Sequence, residues 1–151
     1  MSKIVITCDH RGDEFCKKIN DYLLKKGYST NLILSQGPTD DYVDNGRIAL
    51  DLIVRRECEW GILVCGTGIG MAICANREKG IFAVHAKDEA DAYFARRHEN
   101  SKVLALGCGY SDGIHEVKMS LSKAKKIIDT FLETEFEGDR HKRRIKKVDG
   151  E

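Results

Sequence analysis

The segment that most constrains the fold is Trp60–Gly70, which reads W-G-I-L-V-C-G-T-G-I-G. Its first six residues are almost wholly apolar, so as a strand they offer no polar face to water. That pattern predicts a strand covered on both sides, in the middle of a parallel sheet. Three glycines in five positions then end the run, and Gly68–Arg77 opens a helix. A strand that stops in a glycine turn and passes into a helix is the repeating unit of an α/β fold.

The rest of the chain alternates in the same way. Lys3–Cys8, Thr30–Leu34, Ile81–His85 and Val103–Leu106 read as further strands. Asp13–Lys26 has helical spacing through Phe15, Ile19, Tyr22 and Leu23, with Gly27 placed to close it. Gly46–Arg56 and Asp88–Arg97 read as helices, and Asp112–Glu133 as one long helix. Ser35–Asp44 is a polar loop holding the only proline, Pro38, and a polar, basic tail runs from about Thr134 to Glu151. The expected architecture is a parallel sheet with helices on both faces. At 151 residues the chain suits one domain over its whole length, with a core that needs no staples. In such sheets ligands bind at the carboxyl ends of the strands. Cys8-Asp9-His10, Cys65–Gly70 and Ala86-Lys87-Asp88 fall there.

Charge excludes some partners. Twenty-five Lys and Arg against 24 Asp and Glu leave a net +1, which argues neither for nucleic acid nor for a membrane surface. The short basic run near Arg140 has no interleaved aromatic residue and is a poor nucleic-acid footprint. No signal peptide or membrane span is expected. Six cysteines form no C-x-x-C pair and no Cys/His zinc spacing, so no metal is expected. Their apolar settings suggest reduced thiols, hence a cytoplasmic protein.

Within this frame a few residues carry chemistry. Gly66, Thr67, Gly68, Ile69 and Gly70 can turn backbone amides inward and, with a helix N-terminus, cradle a phosphate or an enediolate oxyanion. The alternatives are a ligand-free turn, or a dinucleotide fingerprint one residue short, with Asp88 near the place of its acid. Cys65 stands where a helix dipole favours thiolate and proton abstraction next to a carbonyl; it can equally be a buried structural thiol, as expected for Cys16, Cys58 and Cys74. Asp9 and His10 can shuttle protons or hold a sugar phosphate, or Asp9 can simply cap a helix; Arg11 adds a cation. His98 can complement a helix C-terminus. Arg140 and Arg144, four apart, share one face if their segment is helical and can then hold a phosphate together; the run otherwise reads as a solvated basic tail.

Five motifs in order, C-D-H-x-G, G-I-L-V-C-G-T-G-I-G-M, A-N-R-x-K-G-I, V-L-A-L-G and E-F-E-G-x-R-H-x-x-R, resemble the type B ribose-5-phosphate isomerases and the related galactose-6-phosphate isomerase subunits. The resemblance runs from about Lys3 to Lys147. It implies a Rossmann-like three-layer α/β/α sandwich on a five-stranded parallel sheet. It also implies a cofactor-free aldose–ketose isomerase of sugar phosphates working through an enediolate. Homodimers or tetramers, with an active site drawn from two subunits, are expected. Cys65 matches the base, and Gly66 to Gly70 the loop that stabilises the enediolate. Asp9 and His10 match sugar and phosphate contacts, Thr67 and His98 the ring-opening residues, and Arg140 and Arg144 the phosphate pair. The chain departs from the pattern at Arg11, at Glu99 after His98, at Gly109, where the family often carries arginine, and at Asp41-Tyr42-Val43-Asp44, where it usually reads D-Y-P-D. Arg11 is expected to offset the missing arginine, or Glu99 and Tyr110 to shift the sugar accepted. A non-catalytic sugar-phosphate sensor or partner subunit on the same fold is the alternative.

Overall fold

The protein is represented by a computed structural model that describes residues 2–37 and 41–151. Strands β1 (Lys3–Cys8), β2 (Ser29–Ile33), β3 (Trp60–Cys65), β4 (Ala83–His85) and β5 (Val103–Gly107) form one parallel sheet in the order β2-β1-β3-β5-β4. Helices α1 (Asp13–Lys25), α4 (Glu89–Glu99) and α5 (Leu121–Glu133) cover one face. Helices α2 (Tyr42–Val54) and α3 (Ile69–Asn76) cover the other. The two-residue period of the strands divides the core between the faces. Ile4, Ile6, Ile62, Val64, Leu104 and Leu106 point to the first, and Val5, Leu63, Val103 and Ala105 to the second. All ten are fully buried, each stabilising the fold by about 1.5–3 kcal/mol, with alanine less.

The topology fixes where a ligand can bind. From β1 the chain passes to β2 on one side and then returns to place β3 on the other, so the connections part above the β1–β3 boundary. Register sets Cys8 opposite Val64 and Cys65 opposite Gly107, bringing the ends of β1, β3 and β5 level.

Four sequence expectations need correction. The long helix over Asp112–Glu133 is instead a hairpin, β6 (Tyr110–Ser111) with β7 (Glu116–Val117), followed by α5 from Leu121. Ile114, Val117 and Leu121 mimic a helical period, but Asp112 captures the amides of Ile114 and His115 at 2.8 and 2.6 Å and closes a turn. Ser120 then starts α5 by accepting the Lys123 N–H. The tail contains a helix, α6 (Arg140–Val148), and the strand expected from Ile81 pairs only over Ala83–His85. The loop expected over Ser35–Asp44 ends early, since α2 begins at Tyr42, and its Pro38 lies outside the described residues.

Candidate active site

A cavity of about 330 Å³ opens at the switch point, lined by Asp9, Arg11, Tyr42, Cys65, Gly66, Thr67, Ile69, Gly70 and Tyr110. β3 delivers Cys65 at its last residue, 5% exposed, on the α2–α3 side of the sheet. Its sulfur accepts the Gly68 N–H at 3.2 Å, and the Thr67 hydroxyl accepts the Ile69 N–H at 3.2 Å. The Gly66 and Thr67 amides have no acceptor among the described residues. Gly68 sits at φ +81°, a conformation that L side chains rarely adopt, and turns the chain into α3. The loop thus surrounds a thiol with amides at a helix N-terminus, suited to stabilising negative charge as it develops.

Asp9 is 9% exposed, and its Oδ1 accepts the Arg11 N–H at 3.0 Å. This is an Asx turn rather than the helix cap considered from sequence, since Gly12 is the N-cap of α1. His10 is exposed on the same turn and does not line the cavity. Burial, and then the negative charge of Asp9, push the Cys108 thiol up to about 11. Burial also raises Cys58 and Cys74, while Cys16 is raised first by its contact with Cys8 and then by burial, so these thiols stay neutral. The acid considered for a nucleotide ribose is otherwise engaged, because Asp88 caps α4 by accepting the Asp91 N–H at 2.9 Å.

The remaining expected residues form a second cluster. His98, half-buried near the end of α4, stacks on His141 of α6 with centroids 4.4 Å apart and planes 10° from parallel. His141 is 4% exposed, and its Nε2 has no hydrogen-bond partner among the described residues. Glu137 Oε2 lies 3.7 Å from that nitrogen and 3.4 Å from Arg97 Nε, while its Oε1 is 3.2 Å from Arg140 Nη1. Desolvation pushes the Glu137 carboxyl up, but Arg140, Arg97 and His141 outweigh it and hold it below the usual range. Desolvation, then Arg140 and His98, lower His141 below an ordinary histidine. Arg140 and Arg144 both lie on α6, as their spacing requires for a shared face. One donor atom each from His98, Glu137 and His141 lie within 4.8 Å of one another. Stacked rings cannot aim their in-plane lone pairs at one point, and a dication would compete with two arginines for Glu137, so this is a poor metal cage. Glu99 is exposed and lines a different cavity, of about 440 Å³, with His98, His85 and Phe94.

The structure therefore gathers Asp9, Arg11 and Cys65 to Gly70 at one place and His98 and Arg140 at another; His98 does not line the Cys65 cavity, nor Cys65 the cavity beside His98. Tyr42, which lines the Cys65 cavity, and His141 and Glu137, which gather beside His98, are not marked out by the sequence. Tyr42 lies four residues past the only proline, at a helix start whose sequence reads as loop, and R-H at 140–141 reads as part of a solvated basic run.

The sheet order and the amide-lined thiol at its switch point define a doubly wound α/β protein with a crevice whose geometry suits an anion. Residues 4–148 match the ribose/galactose isomerase family. The chain is 31% identical to ribose-5-phosphate isomerase B of Escherichia coli, over 98% of this chain and 95% of that one. It superposes with a TM-score of 0.86 on a ribose 5-phosphate isomerase from Thermotoga maritima, at 37% identity and 99% coverage of both chains. A TM-score of 0.87 relates it to ribose-5-phosphate isomerase B from Mycoplasma genitalium with bound ribulose-5-phosphate, at 34% identity over 98% of this chain and 94% of that one. The chain belongs to the ribose/galactose isomerase family.

Proposed function

We propose that this chain is an aldose–ketose isomerase of sugar phosphates, acting on ribose 5-phosphate or a related pentose or hexose phosphate. The observation that carries the reading is the Cys65 sulfur held by the Gly68 N–H inside a glycine loop, with Asp9 lining the same cavity. Cys65 takes the proton from C2 of the open-chain aldose and returns it to C1, while the C2 hydroxyl proton passes to O1. The Gly66 and Thr67 amides carry the oxyanion of the intervening enediolate. Asp9, with one oxygen on the Arg11 amide, keeps the other for a sugar hydroxyl. His98 and Thr67 open the furanose ring. His10, Arg140 and Arg144 take the phosphate.

That division of labour needs two chains, because His98 and Arg140 do not line the Cys65 cavity. A second copy supplies them. Ile69 and Ile73 on α3 beside the first cluster, and Phe94 beside His98, are each at least half exposed, an apolar rim suited to a symmetric interface. Six free cysteines fit a reducing cytoplasm, and among the described residues no helix is long and apolar enough to cross a membrane.

Isomerisation of ribose 5-phosphate, beside a panel of pentose and hexose phosphates, tests the activity; no turnover of any of them refutes it. Mixing inactive Cys65→Ala and His98→Ala chains tests the shared site. Random exchange in dimers restores about a quarter of wild-type activity if each site takes both residues from different chains. No recovery places the site within one chain.

A further inference from the structure

We propose that Arg11, braced on the ring of Tyr110, is a substrate-binding group of this cavity, and that it receives the anionic phosphate of the sugar. Three observations lead there. The Arg11 guanidinium carbon lies 4.8 Å from the Tyr110 ring centroid, and both residues line the Cys65 cavity. Arg11 makes no ion pair among the described residues, while Arg55, Arg97 and Arg140 each hold a carboxylate. Both side chains also lie against the glycine loop: a Cβ on Gly66 would come within 3.2 Å of Tyr110 Cδ2 and 3.4 Å of Arg11 Cδ. Gly66 is thus the flat surface on which the pair rests.

The chemistry follows from that placement. A guanidinium lying over an aromatic ring is held by its face and keeps its N–H edge free, and that edge matches two oxygens of a phosphate. The platform is fixed from behind. Tyr110 pairs with Val117 in the β6–β7 hairpin, whose turn is locked by the bonds from Ile114 and His115 to Asp112. The backbone of Arg11 is fixed too, by its N–H on Asp9 Oδ1 and by the Cys108 thiol on its carbonyl at 3.6 Å. The cation therefore stands at a set distance from the Cys65 loop, and that distance selects among sugar phosphates by the span from reacting carbon to phosphate. Arg11 is the contacting group and Tyr110 a positioning residue.

This inference rests on the isomerase reading but is tested separately from it. Inorganic phosphate binding is measured by calorimetry on the wild-type chain and on Arg11→Met, which keeps the side chain's length and removes its charge. The affinity falls about ten- to a hundredfold, the value of a charge-assisted hydrogen bond. With ribose 5-phosphate, or the best sugar phosphate of the panel, Arg11→Met raises KM by a similar factor and changes kcat about threefold at most, as loss of uniform binding requires. Tyr110→Leu raises KM in the same sense, and Tyr110→Phe, which keeps the ring, recovers most of that loss. Unchanged phosphate affinity in Arg11→Met overturns the inference whether or not the chain turns over sugar. A fall in kcat at constant KM overturns it as well. A wild-type chain that binds phosphate through Arg11 but isomerises nothing refutes the isomerase reading alone.

Discussion

Replacing Gly68 by alanine measures how tightly the cradle is built against the sheet. Gly68 has φ +81°, and an alanine forced into this region costs about 1–2 kcal/mol. Its new Cβ would stand 2.7 Å from the Gly107 nitrogen, 2.8 Å from the Leu106 carbonyl carbon and 2.8 Å from His85 Cδ2. Two of these atoms are backbone of β5, which is paired to β3 on one side and β4 on the other and cannot retreat without loss of register. Overpacking of this kind adds about 1–3 kcal/mol, for a total of about 2–5 kcal/mol. Gly80 is the internal control: its φ is +84°, yet a Cβ there meets nothing within 4 Å. Gly80→Ala therefore carries only the conformational cost, about 1–2 kcal/mol. Urea denaturation followed by circular dichroism reads both as a shift in midpoint at constant slope. Equal destabilisation by the two substitutions would refute the close approach of the cradle to β5. Changes under about 0.5 kcal/mol in both would refute the conformational argument too.

Other substitutions separate chemistry from stability. Cys65→Ala lowers kcat by about a thousandfold or more, the loss of a general base, while phosphate still binds in calorimetry; substantial residual turnover would remove Cys65 from that role. Arg96, 5% exposed, donates to the Ser101 carbonyl at 2.7 Å and to Asn100 Oδ1 at 3.1 Å and lies 4.2 Å from the Trp60 ring. Arg96→Ala strands that carbonyl and removes the stack, costing about 2–4 kcal/mol by chemical denaturation. Acid weakens the fold through two groups. His141 is depressed in the folded state, so the unfolded chain takes up its proton first and stability falls as pH drops through the ordinary histidine range. Glu137 is also depressed, so its contribution is present above the ordinary carboxylate range and is lost as pH falls through its folded value. Unfolding free energy declines from about pH 7 to about pH 5 in the wild type, and His141→Gln flattens that arm; an unchanged slope would show that His141 titrates normally.

Much of the scaffold was legible because it is written in local pattern. Trp60–Cys65 has no polar face, and the structure covers it on both sides; Asp9, just past β1, and Cys65, at the end of β3, line one cavity, as groups at the carboxyl ends of such strands are expected to. The hairpin at Tyr110 was not legible, since its apolar residues repeat at helical spacing and only the capture of two amides by Asp112 decides for a turn. Nor was His141, which lies in a run of charged residues and becomes buried only when α6 docks on α4 and stacks it on His98.

By itself the sequence determined the five strands of the main sheet, the glycine turn after β3, and which chemical groups stand at the strand ends, because periodicity and backbone permissiveness act over a few residues. Tertiary structure alone decided which groups meet. It put Tyr110 and Arg11 over Gly66 and stacked His98 on His141, outside the lining of the Cys65 cavity. Those contacts join residues tens of positions apart, and sheet register and helix docking set them rather than any local preference.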